Sequence, residues 1–166
     1  MVLSKELIHD IFFFANHHNI PTIVDPKKRN FLYYQKATLF KPNLKELKEG
    51  LAIQSDVKNS EELSDAVTML KNTLELGGVF LTLSERGVYI DFKHEQKAIP
   101  AHIRTIADVS GAGDTVISIA ACCLALGLSP ELIAGLSNLG GGLVCESVGV
   151  VPIDKELLKQ EALLHL

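Results

Sequence analysis

The chain has 166 residues, 47% of them apolar and 22% charged, with a formal net charge of −4 at pH 7. That balance belongs to one folded domain with a substantial core, and it excludes disordered, collagen-like and disulfide-framework chains. Net negative charge without a basic block excludes a nucleic-acid or anionic-membrane surface, so a small-molecule partner is expected. In chain order, residues 3–16 predict an amphipathic helix, with Leu7, Ile8, Ile11, Phe12 and Phe14 crowding one broad face. His17 and His18 fall at its C-terminal end, where a cation suits the helix dipole; a metal pair is the alternative. Residues 21–25 and 37–40 predict short strands closed by Pro26 and Pro42, with a basic, aromatic loop at 27–34 between them.

Asn43 is placed to cap a helix reaching about residue 51, with Glu46 at the capping-box spacing. A longer amphipathic helix is predicted over residues 60–76, ended by Gly77 and Gly78. Residues 79–83 predict a buried strand, 87–92 its hairpin partner, and 97–106 a further extended stretch. Helices are expected at about 113–126, 130–146 and 154–164. Strands alternating with helices, then a helical tail, imply a layered α/β domain with a largely parallel sheet. Cys122, Cys123 and Cys145 read as small buried hydrophobes in a reducing compartment. Charges within Met1–Glu6 speak against a secretory segment, and the most apolar run, 116–128, is too short to span a bilayer; a cytoplasmic location is expected.

The most informative run is Asp108-Val109-Ser110-Gly111-Ala112-Gly113-Asp114-Thr115, which opens a long apolar helix. Two glycines permit a sharp turn, and the helix start presents unpaired N–H groups and the positive end of its dipole to the same space. A phosphate fits there. Asp114 reads either as an ordinary first-turn acid or as a carboxylate that takes a proton from an attacking hydroxyl. Asn43 and Glu46, likewise, read either as a plain helix start or as polar groups beside a ligand. The turn at Ser84-Glu85-Arg86-Gly87 is by default a hairpin. Gly140, Gly141 and Gly142 weaken a helix by roughly 1 kcal/mol each relative to alanine, which implies close packing of that helix against the sheet or a ligand.

The Asp108–Asp114 run resembles the C-terminal signature of the ribokinase-like, or PfkB-type, carbohydrate kinases, Asp-x-x-Gly-Ala-Gly-Asp. Asn43-x-x-Glu46 and the Thr82-Leu83-Ser84-Glu85-Arg86-Gly87 turn resemble that family in the same order, with Ser84 standing where the family's first turn glycine falls. The resemblance implies a three-layer α/β/α ribokinase-like fold in which residues 1–166 form a single domain, the C-terminal, nucleotide-binding half. It implies Asp114 as catalytic base and the Gly111, Ala112 and Gly113 amides as the anion hole. Glu46 would hold Mg²⁺ through water, and Asn43, Ser84, Glu85, Gly87, Asn138 and Gly149 would border ATP. Asp108, with backbone around Ser110, Ser147 and Gly149, resembles a monovalent-cation site, which would take K⁺. The stretches Ile23-Val24-Asp25-Pro26-Lys27, Phe31-Leu32-Tyr33-Tyr34-Gln35-Lys36-Ala37-Thr38-Leu39 and Pro42-Asn43-Leu44-Lys45-Glu46 further resemble the heptose 7-phosphate kinase branch, the kinase domains of bifunctional ADP-heptose synthases. Its members phosphorylate the anomeric hydroxyl of a sugar phosphate on the way to ADP-heptose and lipopolysaccharide core. Family members run to about twice this length, so an exposed sheet edge and a homodimer through it are expected. Two other readings stay open: an inactive half-domain that binds nucleotide or a partner chain, and a kinase for another sugar or nucleoside.

Overall fold

The computed structural model describes residues 3–54, 56–57 and 59–166. Met1 and Val2, part of the charged N-terminal stretch, lie outside the described residues. The chain divides into two compact units: Met1–Thr82 with Asp91–Glu95, and Leu83–Ile90 with Gln96–Leu166. The strands lie in the sheet in chain order: β1 (Ile23–Val24), β2 (Leu39–Phe40), β3 (Gly78–Thr82), β4 (Val88–Phe92) and β5 (Glu95–Ile99).

The first unit opens with α1 (Lys5–His17), whose first turn is closed by the Ser4 hydroxyl accepting from Leu7 N–H at 3.2 Å. Parallel pairing joins β1 (Ile23–Val24) to β2 (Leu39–Phe40). The pair is framed by Thr22 and Thr38, each hydroxyl accepting the other residue's backbone N–H at 3.0 Å. Between them the expected loop is instead a 3₁₀ turn, Lys28–Tyr33. Its driving force is burial: Phe31 stands edge-on to Phe40 at 5.1 Å, and Asn30 Nδ2 donates to the Leu3 carbonyl at 3.1 Å. After α2 (Leu44–Gly50), α3 (Ser60–Leu74) starts at an Asn59 cap and stops at Glu75, in the left-handed region with φ 53°. The helix therefore ends before Gly77 and Gly78, which serve packing instead. A Cβ on Gly77 would lie 2.7 Å from the Thr38 carbonyl, and one on Gly78 would lie 2.6 Å from the Phe92 ring. Fully buried β3 residues Val79, Phe80 and Leu81 follow, β3 (Gly78–Thr82) running parallel to β2 in the register Phe40↔Val79.

The apolar face read on α1 is real, but only Ile8 and Ala15 are buried; Leu7, Ile11 and Phe14 are 39%, 46% and 58% exposed.

The strands β4 (Val88–Phe92) and β5 (Glu95–Ile99) flank a two-residue turn, Lys93 and His94, that belongs to the first unit and has φ values of 51° and 65°. Positive φ at both positions is the turn that matches strand twist in a tight hairpin. The strand ends at Ile99, short of the expected 106. Three helices follow: α4 (Ala112–Ala125), α5 (Pro130–Val144) and α6 (Lys155–His165). Two of the α5 glycines, Gly140 and Gly141, pack against α4, not the sheet. A Cβ on Gly140 would meet Ile119 Cδ1 at 2.2 Å, and one on Gly141 would meet Val116 Cγ2 at 2.6 Å. Cys123 and Cys145 are buried, but Cys122, on the other side of α4, is exposed; all three are free thiols. No helix among the described residues is long and apolar enough to cross a membrane.

Candidate active site

In the first unit the polar residues gather past the C-terminal ends of the parallel strands, the edge where open α/β sheets bind ligands. Asn43 begins α2 as a complete capping box. Its Oδ1 accepts from Glu46 N–H at 2.8 Å, and Glu46 Oε2 accepts from Asn43 N–H at 2.8 Å. A bridge from Asn43 to Thr82 ties this helix start to the end of β3. The helix-start reading of Asn43 and Glu46 is thus seen in the structure: the cap is made, and it holds the Glu46 carboxylate near the end of β3.

Sequence reasoning missed Lys41. Its side chain is 4% exposed, and Nζ pairs with Asp25 Oδ1 at 2.9 Å while Lys27 Nζ takes Asp25 Oδ2 at 2.9 Å. Burial works to raise the Asp25 pKa, but hydrogen bonds from Lys27 and Lys41 outweigh it and hold the carboxyl below its usual range. The available signal was a lysine directly after the apolar pair Leu39–Phe40 and before Pro42, where a strand ends and a helix is about to start.

The second unit carries two clusters. In the first, Gly111 caps α4 in the left-handed region at φ 81°, and Thr115 N–H makes an early helical bond to the Gly111 carbonyl at 3.0 Å. The Ala112 N–H is turned to the Val109 carbonyl at 3.3 Å. With Ala112 so engaged, the first-turn amides left for an outside acceptor are those of Gly113 and Asp114, where Gly111, Ala112 and Gly113 were expected. A Cβ on Gly113 would meet no atom within 4 Å, so no neighbouring side chain requires glycine there and the space above the turn stays open. Asp114 is exposed in the first turn of α4.

Asp108 secures this turn. Its Oδ1 accepts from Ser110 N–H at 2.9 Å and Ser110 Oγ at 2.8 Å, and its Oδ2 accepts from Gly149 N–H at 3.0 Å. Those donors, Ser110 N–H first, lower the Asp108 pKa. The carboxylate joins the anion turn to the loop after α5, as the backbone also does where Ala107 and Asp108 N–H both donate to the Cys145 carbonyl at 2.8 and 3.2 Å.

The second cluster gathers on residues 99–101. Gly87, at φ 89° and ψ −132°, closes a 3₁₀ turn (Ser84–Arg86), and a Cβ there would lie 2.1 Å from the Ile99 carbonyl. Asn138 Nδ2, from α5, donates to the Pro100 carbonyl at 2.9 Å. Ser84 adopts φ 54°, the left-handed conformation for which glycine is the usual residue. Glu85 lies exposed in the same turn. Among the described residues, no group of three or more His, Cys, Asp or Glu side chains is placed to hold a metal. A hydrated Mg²⁺ needs only one or two carboxylates, so Glu46 alone remains a fitting donor.

The pfkB family carbohydrate kinase profile matches residues 2–156. Among curated proteins, the bifunctional protein HldE of Syntrophotalea carbinolica is 34% identical over 165 residues, covering 99% of this chain and 33% of that protein. HldE of Koribacter versatilis is 38% identical over 158 residues, covering 95% and 32%. Among solved structures, Escherichia coli phosphofructokinase-2 in complex with potassium superposes with a TM-score of 0.84 at 17% identity, over 95% of this chain and 52% of that one. Arabidopsis thaliana ribokinase complexed with ribose and ATP gives 0.78 at 19%, over 95% and 52%. The fold is therefore the ribokinase-like α/β/α fold. The chain spans about a third of these curated relatives and about half of the solved structures. With the profile matched over nearly its whole length, the chain belongs to the pfkB family of carbohydrate kinases.

Proposed function

We propose that this chain is the nucleotide-binding, catalytic portion of an ATP-dependent sugar kinase whose substrate is D-glycero-β-D-manno-heptose 7-phosphate, phosphorylated at its anomeric hydroxyl. The observation that carries the reading is the anion turn: a left-handed Gly111, open space over Gly113, and Asp114 on the same first turn of α4. The sugar hydroxyl gives its proton to Asp114 as its oxygen attacks the γ-phosphorus of ATP, and the bond to the ADP oxygen breaks. Amides at Gly113 and Asp114, with the α4 dipole, stabilise charge on the transferring phosphoryl group. Mg²⁺, when bound, neutralises phosphate charge; Glu46 holds it through water, and the Asn43 cap keeps Glu46 in place. Ser84, Glu85, Gly87, Asn138 and Gly149 border the nucleotide, and Asp108 serves a monovalent cation such as K⁺ beside the Gly149 loop. The heptose assignment rests on the HldE relatives and on Lys27 following Asp25-Pro26, a cation suited to a substrate that already carries phosphate.

Calorimetric titration with Mg·ATP tests the site. Saturable binding to the parent chain is expected, lost in Gly111→Val/Gly113→Val and retained within about threefold in Asp114→Asn, which abolishes phosphoryl transfer to the heptose phosphate. Equal loss of binding in Asp114→Asn would remove the base role. A panel with ribose, fructose 6-phosphate and nucleosides separates heptose from the other substrates.

A second reading is favoured by the exposed α1 face and by β1 at the sheet edge: the chain pairs with a second copy there.

A further inference from the structure

Helix α6 buries none of its residues fully, and Leu163 and Leu164 are exposed along it. Against α5, Leu166 lies over Gly135 and Leu158 over Gly140, at 2.7 and 3.7 Å from where a Cβ would stand. A polar knot adds to these contacts. Arg104, its side chain 10% exposed, lies across α5 at Gly142, where an added Cβ would come within 3.3 Å of its Cδ. Nη1 donates to Glu146 Oε1, just past the end of α5, at 3.1 Å, and Nη2 donates to Glu161 Oε2 of α6 at 2.5 Å. His165 brings Nε2 to 3.6 Å from the same Glu161 oxygen. The ring of His102, two residues before Arg104, lies 5.1 Å from that of His165, and its Nε2 is buried without a hydrogen-bond partner.

The charged neighbours of this ring pair are Arg104 on the His102 segment, Glu146 after α5, and Glu161 on α6. With both rings neutral, one cation faces two carboxylates. A proton on His102 meets the Arg104 cation at a partly buried ring whose Nε2 has no acceptor.

We propose that His102, packed on His165, is an acid-released latch: α6 stays seated on α5 while the His102 ring is neutral and is freed when that ring is protonated. Burial first, then His165 and Arg104, hold His102 below the ordinary histidine pKa. A lowered folded-state pKa means the docked form favours neutral His102. Its stabilisation is complete above the released-state value of about 6.5 and is lost as pH falls from there toward the folded value. The loop between α5 and α6 carries the Gly149 N–H that Asp108 accepts, so freeing α6 also loosens one side of the anion turn.

Amide hydrogen exchange on the whole chain at pH 7.5 and 5.5, corrected for intrinsic rates and read against α4 in the same sample, tests the latch. Protection in α6 falls by up to about tenfold relative to α4 on acidification, the limit set by a released histidine titrating near 6.5. His102→Gln keeps α6 protection at pH 7.5 within about twofold and removes the acid-dependent loss. As a check that needs no variant, the His102 ring resonance in the parent titrates with a midpoint below 6.5. The latch is overturned if α6 tracks α4 at both pH values, if His102→Gln stays as acid-sensitive as the parent, or if His102 titrates at or above 6.5. No nucleotide enters the experiment, so its outcome is independent of the kinase reading.

Discussion

At the scale of single residues, the turn at 84–87 sets two conformational demands against each other. Ser84 sits at φ 54°, a region in which an L-residue is disfavoured by about 1 kcal/mol. Gly87 sits at φ 89° and ψ −132°, and any Cβ there would collide with the Ile99 carbonyl at 2.1 Å. Exchanges at these two sites therefore have opposite signs. Ser84→Gly relieves the backbone but loosens the unfolded chain, leaving a net gain of about 0.5 kcal/mol. Gly87→Ala forces the strand exit at 99–101 to move and loses at least about 2 kcal/mol. Urea denaturation of the two variants beside the parent decides it, and a neutral Gly87→Ala would mean the close approach to Ile99 is not a constraint. The residue scale is also where reading by type fails. Lys41 passed unnoticed because a lysine is almost always a surface residue, and only its pairing with Asp25 across the strand ends accounts for its burial. Cys122 failed the other way: adjacent thiols on a helix face different directions, so Cys123 can be buried while Cys122 is not.

Among the elements, α5 shows how packing overrides propensity. Replacing a helical glycine by alanine ordinarily gains about 1 kcal/mol. At Gly141 the new methyl would lie 2.6 Å from Val116 Cγ2, and a β-branched side chain on a helix has little freedom to turn away. Gly141→Ala is expected to lose about 1–2 kcal/mol. Val116→Ala, harmful alone because it empties a buried site, is expected to recover part of that loss when combined with it. A double-mutant cycle by thermal denaturation reads the coupling, and strict additivity would show that α4 and α5 do not meet there. Helices were the legible part of this chain, since caps at Ser4, Asn43, Ser129 and Asp154 are written in residue type. The 3₁₀ turn at Lys28–Tyr33 was not, because it has no helical period and owes its shape to Phe31 packing on Phe40. The candidate site residues divide in the same way. Asp108–Asp114 and Asn43–Glu46 are local motifs and could be read directly. The convergence of Gly87 and Asn138 on residues 99–101 joins segments far apart in sequence, and a single chain carries no local mark of it.

For the molecule as a whole, the open question is what covers α1. Leu7, Ile11 and Phe14 recur at the spacing of one helix face, and β1, two residues long, stands at the edge of the sheet beside them in sequence. An unpaired strand edge offers backbone N–H and C=O groups to another chain, and an apolar ridge of this kind on a monomer marks a place of contact. The far edge, β5, is protected differently, by exposed Glu95 and Lys97 on the strand itself. The asymmetry is the ground for proposing self-association at α1 and β1. Sedimentation velocity of the chain over a hundredfold range of concentration is expected to show reversible growth beyond the monomer. Ile11→Lys/Phe14→Lys, which places two like charges on the ridge while leaving buried Ile8 and Ala15 untouched, shifts that growth to at least about tenfold higher concentration. The same variant should keep the parent's melting temperature within about 2 °C in the dilute, monomeric range, because both replaced side chains are exposed there. A chain that stays monomeric throughout, or a variant that associates as the parent does, would take the second copy off this face. The exposed ridge would then have to be explained by a partner other than the chain itself.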